Sequence, residues 1–276
     1  MIKKLLPIFL LTLLFHSATA QPFLLKSTTG NKPFSLDIYY GTEGKGAFVH
    51  YVGQQGIIPL LLKSHTSKGK MGQTTSSYVW DEVIKGVVTG SYGLTQQADK
   101  LSGLWYKNNN SQKRFLLEHD TAREDYAGVG KYLLHGTLIS FHHTAEELLS
   151  FNYADGSTKS SQLPEFDSPD PQRRATIADY NFDEYDDLAF SIPDAGMGVY
   201  HYFSIYLYNP ATKRFDKLAE PDAPRASCSG LCDVTLDKKN KLLLTACRGA
   251  ARWWNDVYKF SGKNKLIWVR SGTTAN

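Results

Sequence analysis

No long stretch of this sequence repeats apolar residues at helical spacing, so a helical bundle is excluded and a sheet fold is left. Catalytic signatures are missing as well. There is no His-Glu-x-x-His, no Gly-x-Ser-x-Gly, no Walker loop and no Gly-x-Gly-x-x-Gly, and the chemistries those motifs carry lose their sequence support. Ser67-Lys-Gly-Lys70 satisfies Ser-x-x-Lys, but it sits in a Ser/Thr/Lys/Gly-rich run, residues 63–77, that reads as a flexible loop, and the match is assigned to chance. Glu124 and Asp125 are acids that a glycosidase pair would use, yet only their separation in space decides that role. A charge excess of one sign is lacking too. The formal net charge is +4 and falls to +2 once Lys3 and Lys4 are removed with the leader described next, leaving no basic stripe and arguing against nucleic acid as a partner.

Residues 1–20 read as a secretory signal: Lys3 and Lys4 form the charged start, Leu5 to Phe15 the apolar segment, and Ala18-Thr19-Ala20 the small-residue cleavage site. The apolar segment is too short to span a bilayer, and no cysteine beside the site carries a lipid. The expected product starts at Gln21, is exported to the periplasm and has no membrane anchor.

What is abundant is aromatic: sixteen Tyr, fourteen Phe and five Trp, with turn residues at short intervals. Strands are expected at 36–40, 47–52, 57–62, 87–92, 103–106 and 114–117. Residues 200–208 alternate most clearly, Tyr200, Tyr202, Ser204, Tyr206 and Tyr208 on one face and His201, Phe203, Ile205 and Leu207 on the other. Both faces are apolar or amphipathic, which predicts a strand packed on two sides, followed by a turn at Asn209-Pro210 and a return strand at Phe215. The proline-rich segment 161–174 is the expected boundary between a β-rich part, residues 21–160, and a second β part, residues 161–276. The fold class predicted is mainly β, with two β domains or a sandwich as the alternative to a β-propeller.

Residues 179–187 concentrate the chemistry. Asp179, Asn181, Asp183 and Asp187 place oxygen side chains at loop positions 1, 3, 5 and 9, the manner in which a short loop wraps Ca²⁺. Five acids fall within those nine residues, and a bound cation is the simplest way to make such a loop compact. An EF-hand is rejected: position 12 is Phe190 instead of a bidentate acid, and position 6 is Glu184 instead of Gly. The predicted ligands are the side chains of Asp179, Asn181, Asp183 and Asp187 and the carbonyl of Tyr185. Asp-x-Asn-x-Asp-x-Tyr-x-Asp running into Leu188-Ala189-Phe190 resembles the calcium loops of FG-GAP blades in integrin-type β-propellers. Such loops usually carry Gly where this chain has Glu184, so the turn is expected to form without the freedom of Gly to take a positive φ.

In an oxidising compartment the three cysteines are candidates for a bridge. Cys232 and Cys247 flank a hairpin whose turn is at 238–241; continuing its register from Asp237 opposite Leu242 brings the two sulfurs face to face, with Cys228–Cys247 as the competing pairing. A metal site at Cys228-x₃-Cys232 lacks a fitting His pair, and His142-His143, adjacent on a strand, point to opposite faces. Arg248, Arg252, Trp253, Trp254 and Tyr258 are of the residue types that dominate protein–protein contacts, and Arg252 with Trp254 is the candidate partner surface, one tryptophan of the pair being assigned to the core.

Taken in order, Val49 to Leu60, Val87 to Tyr92, Ala178 to Leu188, the Tyr-rich strand to Pro210, and Cys247-Arg-Gly-Ala-Ala-Arg-Trp253 look like a family of exported bacterial proteins that includes a periplasmic, calcium-binding immunity protein against a lysozyme-like effector of a bacteria-killing type IV secretion system. The resemblance implies a β-propeller-like fold, a structural Ca²⁺ and a non-catalytic, inhibitory role toward a muramidase-type protein partner. It does not mark inhibitory residues. The alternatives are an envelope carbohydrate hydrolase and a surface adhesion or scaffold module.

Overall fold

The computed structural model describes residues 22–30, 32–69, 74–121, 128–144, 146–166, 173–194, 199–249 and 252–274; the signal segment, Lys70, Glu124 and Asp125 lie outside them. The first eight strands are β1 (Phe23–Ser27), β2 (Ser35–Tyr39), β3 (Phe48–Tyr51), β4 (Ile58–Lys68), β5 (Thr75–Ile84), β6 (Val87–Gln97), β7 (Lys100–Asn108) and β8 (Arg114–His119). Each pairs antiparallel with the next, and β8 returns to β1 with Leu25 opposite His119, closing a barrel. Alternation fills its interior: Leu36 and Ile38 from β2, Val49 from β3, Trp80 from β5 and Tyr92 from β6 are all buried. The segment 63–77 is therefore not a loop throughout. Ser67 belongs to β4 and pairs with Ser76 across a long hairpin, because β-compatible Ser and Thr continue the ladder even where both faces are polar.

Three four-stranded antiparallel sheets follow. The first contains β9 (Val129–Leu134), β10 (Thr137–His142), β11 (Leu148–Asn152) and β12 (Thr158–Gln162); the second β13 (Arg174–Ala178), β14 (Asp187–Pro193), β15 (His201–Asn209) and β16 (Arg214–Lys217). The third contains β17 (Thr235–Asp237), β18 (Leu242–Gly249), β19 (Arg252–Ser261) and β20 (Lys265–Thr274). The middle sheet is packed on both faces, as the β15 pattern predicts. Tyr206 and Tyr208 enter one core with Phe141 and Phe151 of the first sheet, and Ile205 and Leu207 enter another with Leu243 and Tyr258 of the third. One core thus spans 132–215, across the proline-rich segment, and the architecture changes between β8 and β9.

Barrel and sheets meet at the turn 41–46. Trp80 Nε1 donates to the Gly44 carbonyl at 2.7 Å, fixing the turn to the barrel core, while Leu133 N donates to the Gly46 carbonyl at 2.9 Å and fixes it to β9. Gly41 is required by close approach: a Cβ there would lie 2.5 Å from Ile177 and 2.8 Å from Tyr132.

Candidate metal centre

The five predicted ligands, Asp179, Asn181, Asp183, Tyr185 and Asp187, fall in one compact loop between β13 and the first residue of β14. Its short acids turn onto its own amides, as Asp and Asn do wherever a backbone lacks ladder partners. Asp179 accepts from Asp183 N at 3.0 Å and from Glu184 N at 2.9 Å, and Asp183 accepts from Tyr185 N at 3.2 Å. Asn181 Nδ2 donates to Asp183 Oδ2 at 3.2 Å. Asp187 points inward and is fully buried, one oxygen accepting from Tyr180 N at 2.8 Å and the other from Tyr208 N at 2.7 Å. Burial pushes its carboxyl up to about 7; the two amides pull down, and Asp183 and Asp179 push further up. Among the described residues no three acidic, histidine or cysteine side chains converge in a metal-holding geometry.

Glu184 corrects the sequence expectation. Its φ is +72°, so the turn takes the left-handed conformation that a Gly would supply and bears the strain of a side chain there.

The loop touches every other part of the fold. Lys45 from the barrel turn reaches Asp186 Oδ1 at 2.5 Å. His135, in the β9–β10 turn, lies 2.7 Å from the Asp186 carbonyl through Nε2 and packs against the Tyr185 ring. On the opposite side Asn181 Nδ2 donates to the Lys263 carbonyl at 3.3 Å, and Phe182 meets Phe260 edge-on. Barrel, first sheet and third sheet are thus tied to the middle sheet through nine residues. Lys45, His135 and Lys263 were missed by sequence reasoning. Each is a single residue in a turn far along the chain, and no local pattern marks it.

The disulfide is Cys228–Cys247, with Cα atoms 5.6 Å apart, and Cys232 is a free, buried thiol. The expected Cys232–Cys247 bridge is thereby corrected. The hairpin register holds from Asp237–Leu242 to Thr235–Leu244 and then slips: the Cys232 carbonyl accepts from Ala246 N of β18 at 2.9 Å instead of lying opposite Cys247, and Cys232 forms an isolated bridge with Tyr202 of the middle sheet. The buried carboxylate of Asp256 accepts from Ser227 N at 3.0 Å and Cys228 N at 2.7 Å, which draws Cys228 to the sulfur of Cys247. Trp254 packs on this three-cysteine cluster, whereas Arg252 is exposed. His142 and His143 do diverge: His142 Nε2 lies 3.3 Å from Glu146, and buried His143 contacts the Arg173 carbonyl at 3.1 Å.

A cavity of about 770 Å³ is lined by parts of the middle and third sheets and by none of the five predicted ligands. Arg174, His201 and Arg270 line it with one acid, Asp233. Compared with known proteins, the chain matches no family model and no curated protein.

Proposed function

We propose that the chain is an exported, calcium-stabilised, non-catalytic binding protein of the bacterial periplasm that inhibits a peptidoglycan-degrading, lysozyme-like enzyme. The observation that carries the calcium part is the position of the 179–187 loop, an all-oxygen donor set where barrel and sheets converge. The donors fit a hard cation: the side chains of Asp179, Asn181, Asp183 and Asp187 with the Tyr185 carbonyl would hold it, and it would supply the positive charge that buried Asp187 lacks. Its role is to stiffen the junction. Three successive four-stranded meanders support a blade-like, β-propeller-like reading of 129–274, with the barrel as a separate element.

The inhibitory part rests on the family resemblance of the sequence. Within the cavity, one acid stands where a glycosidase pair needs two, so its lining lends no weight to the hydrolase alternative. Two measurements test the proposal. Titration of chelated protein with Ca²⁺ should release or absorb heat and raise the melting temperature; an unchanged melting temperature in excess chelator sinks the metal. Affinity capture from the native envelope should recover a muramidase whose activity falls on mixing, and repeated capture with no hydrolase sinks the inhibitor.

A further inference from the structure

The net charge of the mature chain is small because two unlike regions cancel. Of 31 Lys and Arg and 27 acids, residues 238–276 hold nine and one, whereas residues 21–237, with Lys3 and Lys4 left in the leader, hold twenty and 26. The one acid of the basic region, Asp256, is fully buried and spent on the amides of Ser227 and Cys228. This segregation corrects the sequence expectation of no basic stripe, because the positive charge is gathered on the third sheet.

Strand order brings six of the nine to one end of that sheet. Asp237 lies opposite Leu242 across the β17–β18 turn, Leu242 lies opposite Lys259, and Ser261 lies opposite Lys265 across the β19–β20 turn. Both turns therefore leave the sheet at the same end, two strand spacings or about 10 Å apart. Lys238, Lys239, Lys241, Lys259, Lys263 and Lys265 are all exposed, and among the described residues none of them makes an ion pair. The acid at this end, Asp237, is held in its own turn, accepting from Asn240 N at 3.0 Å and Asn240 Nδ2 at 2.7 Å. The acidic loop 179–187 abuts the same end through Asn181 on the Lys263 carbonyl and Phe182 on Phe260, contacts that leave the ammonium groups unpaired. Among the lysines the surface is apolar: Ile267, opposite Lys259, and Val269 are each 39% exposed.

Six unpaired ammonium groups repel one another, and an anionic surface relieves that repulsion. The choice of Lys selects among anionic partners. Protein interfaces favour Arg and aromatic residues and are depleted in Lys, whose strongly hydrated point charge offers no planar fork, whereas lipid headgroups need only point charges near the surface. We propose that this end of the third sheet docks on a lipid surface bearing anionic headgroups, the lysines over the headgroups and Ile267 and Val269 against the interface. The contact is peripheral and reversible, needs no membrane-spanning segment, and is independent of the metal loop and of the inhibitory role.

Co-sedimentation of the full mature chain with lipid vesicles, at constant Ca²⁺, tests it. Phosphatidylcholine vesicles containing about one third phosphatidylglycerol should retain the protein at low salt and release it as salt rises, and pure phosphatidylcholine should not retain it. The triple variants Lys238→Glu/Lys239→Glu/Lys241→Glu and Lys259→Glu/Lys263→Glu/Lys265→Glu should each weaken retention by about tenfold or more, since one lysine at an anionic surface contributes about fivefold. These side chains are exposed, so both variants should melt as the parent does. A barrel triple, Lys68→Glu/Lys100→Glu/Lys113→Glu, makes the same change in net charge at exposed positions and should leave retention close to that of the parent. No retention on the anionic vesicles, equal retention on pure phosphatidylcholine, an equal loss in the barrel triple, or tighter binding of soluble poly-L-glutamate, which assigns the surface to an acidic protein, overturns the proposal.

Discussion

The barrel and the three sheets solve the same problem differently. In the barrel, β8 pairs with β1 and no strand edge is left, so backbone pairing alone completes the structure. Its buried acid, Glu82, is held by side chains: Thr89 Oγ1 donates to it at 2.6 Å and the Tyr92 hydroxyl at 2.8 Å, with Tyr51 in contact with Tyr92 at 2.6 Å. The three sheets remain open, share apolar cores, and hold their irregular segments with carboxylates that accept backbone amides: Asp187 from Tyr180 and Tyr208 within the middle sheet, and Asp256 from Ser227 and Cys228 of the segment leading into the third. A closed sheet is cooperative by topology. An open set of sheets depends on a few long-range polar staples, each costly to lose.

The largest effect that sharpens this contrast is Asp187→Ala. Two buried amides lose their acceptor, and we expect a loss of roughly 4 kcal/mol, at about 1–3 kcal/mol per orphaned group. Hydrogen exchange should then accelerate in β13 to β16 while β1 to β8 stay protected; equal acceleration in both regions breaks the comparison. Next, replacing Cys228 and Cys247 together by Ser should lower stability by about 3 kcal/mol in denaturant titration, given the short loop the bridge closes.

Cys232 gives a pH-dependent effect. Burial, with Asp233 and other nearby acids, pushes its thiol up to about 12, against an ordinary value of 9.0. Between those values the unfolded chain has released the proton and the folded chain has not, so stability present below pH 9 is lost as pH rises, by about 1.4 kcal/mol per pH unit. In Cys232→Ala that increment should vanish, measured as the difference between the two stability profiles above pH 9. The smallest effect expected is a gain: Glu184→Gly relieves a side chain held at φ +72° and should stabilise by about 1 kcal/mol or less in a thermal melt, since Gly also has more freedom to lose on folding.

Individual strands were legible because alternation and turn residues are local. The stretches 36–40, 47–52 and 87–92 each match an observed strand, the first overrunning it by one residue at one end and the second by one residue at each end, and the two-sided packing of β15 followed from its Tyr/Leu alternation. The grouping of Asp179 to Asp187 was legible for the same reason, since a loop brings its own residues together whatever surrounds it. The cysteine pairing was not. The register argument was sound as far as Thr235–Leu244, and what redirected the chain, the bridge from Cys232 to Tyr202 and the carboxylate of Asp256, lies outside the hairpin. The hairpin of β4 and β5 was hidden for another reason: its outer half is polar on both faces, so no alternation shows.

By itself, then, the sequence determined a mainly β chain, most of its strands and a nine-residue acidic loop, because periodicity and short-range side-chain chemistry are written within a few residues. Only the tertiary structure decided that eight strands close into a barrel, that the loop sits where barrel and sheets meet, and that Cys228 takes Cys247. Each of those outcomes depends on groups tens of residues apart, Leu25 with His119, Lys45 with Asp186, Cys228 with Asp256, whose pairing is set by how the cores pack and which buried polar groups then need partners.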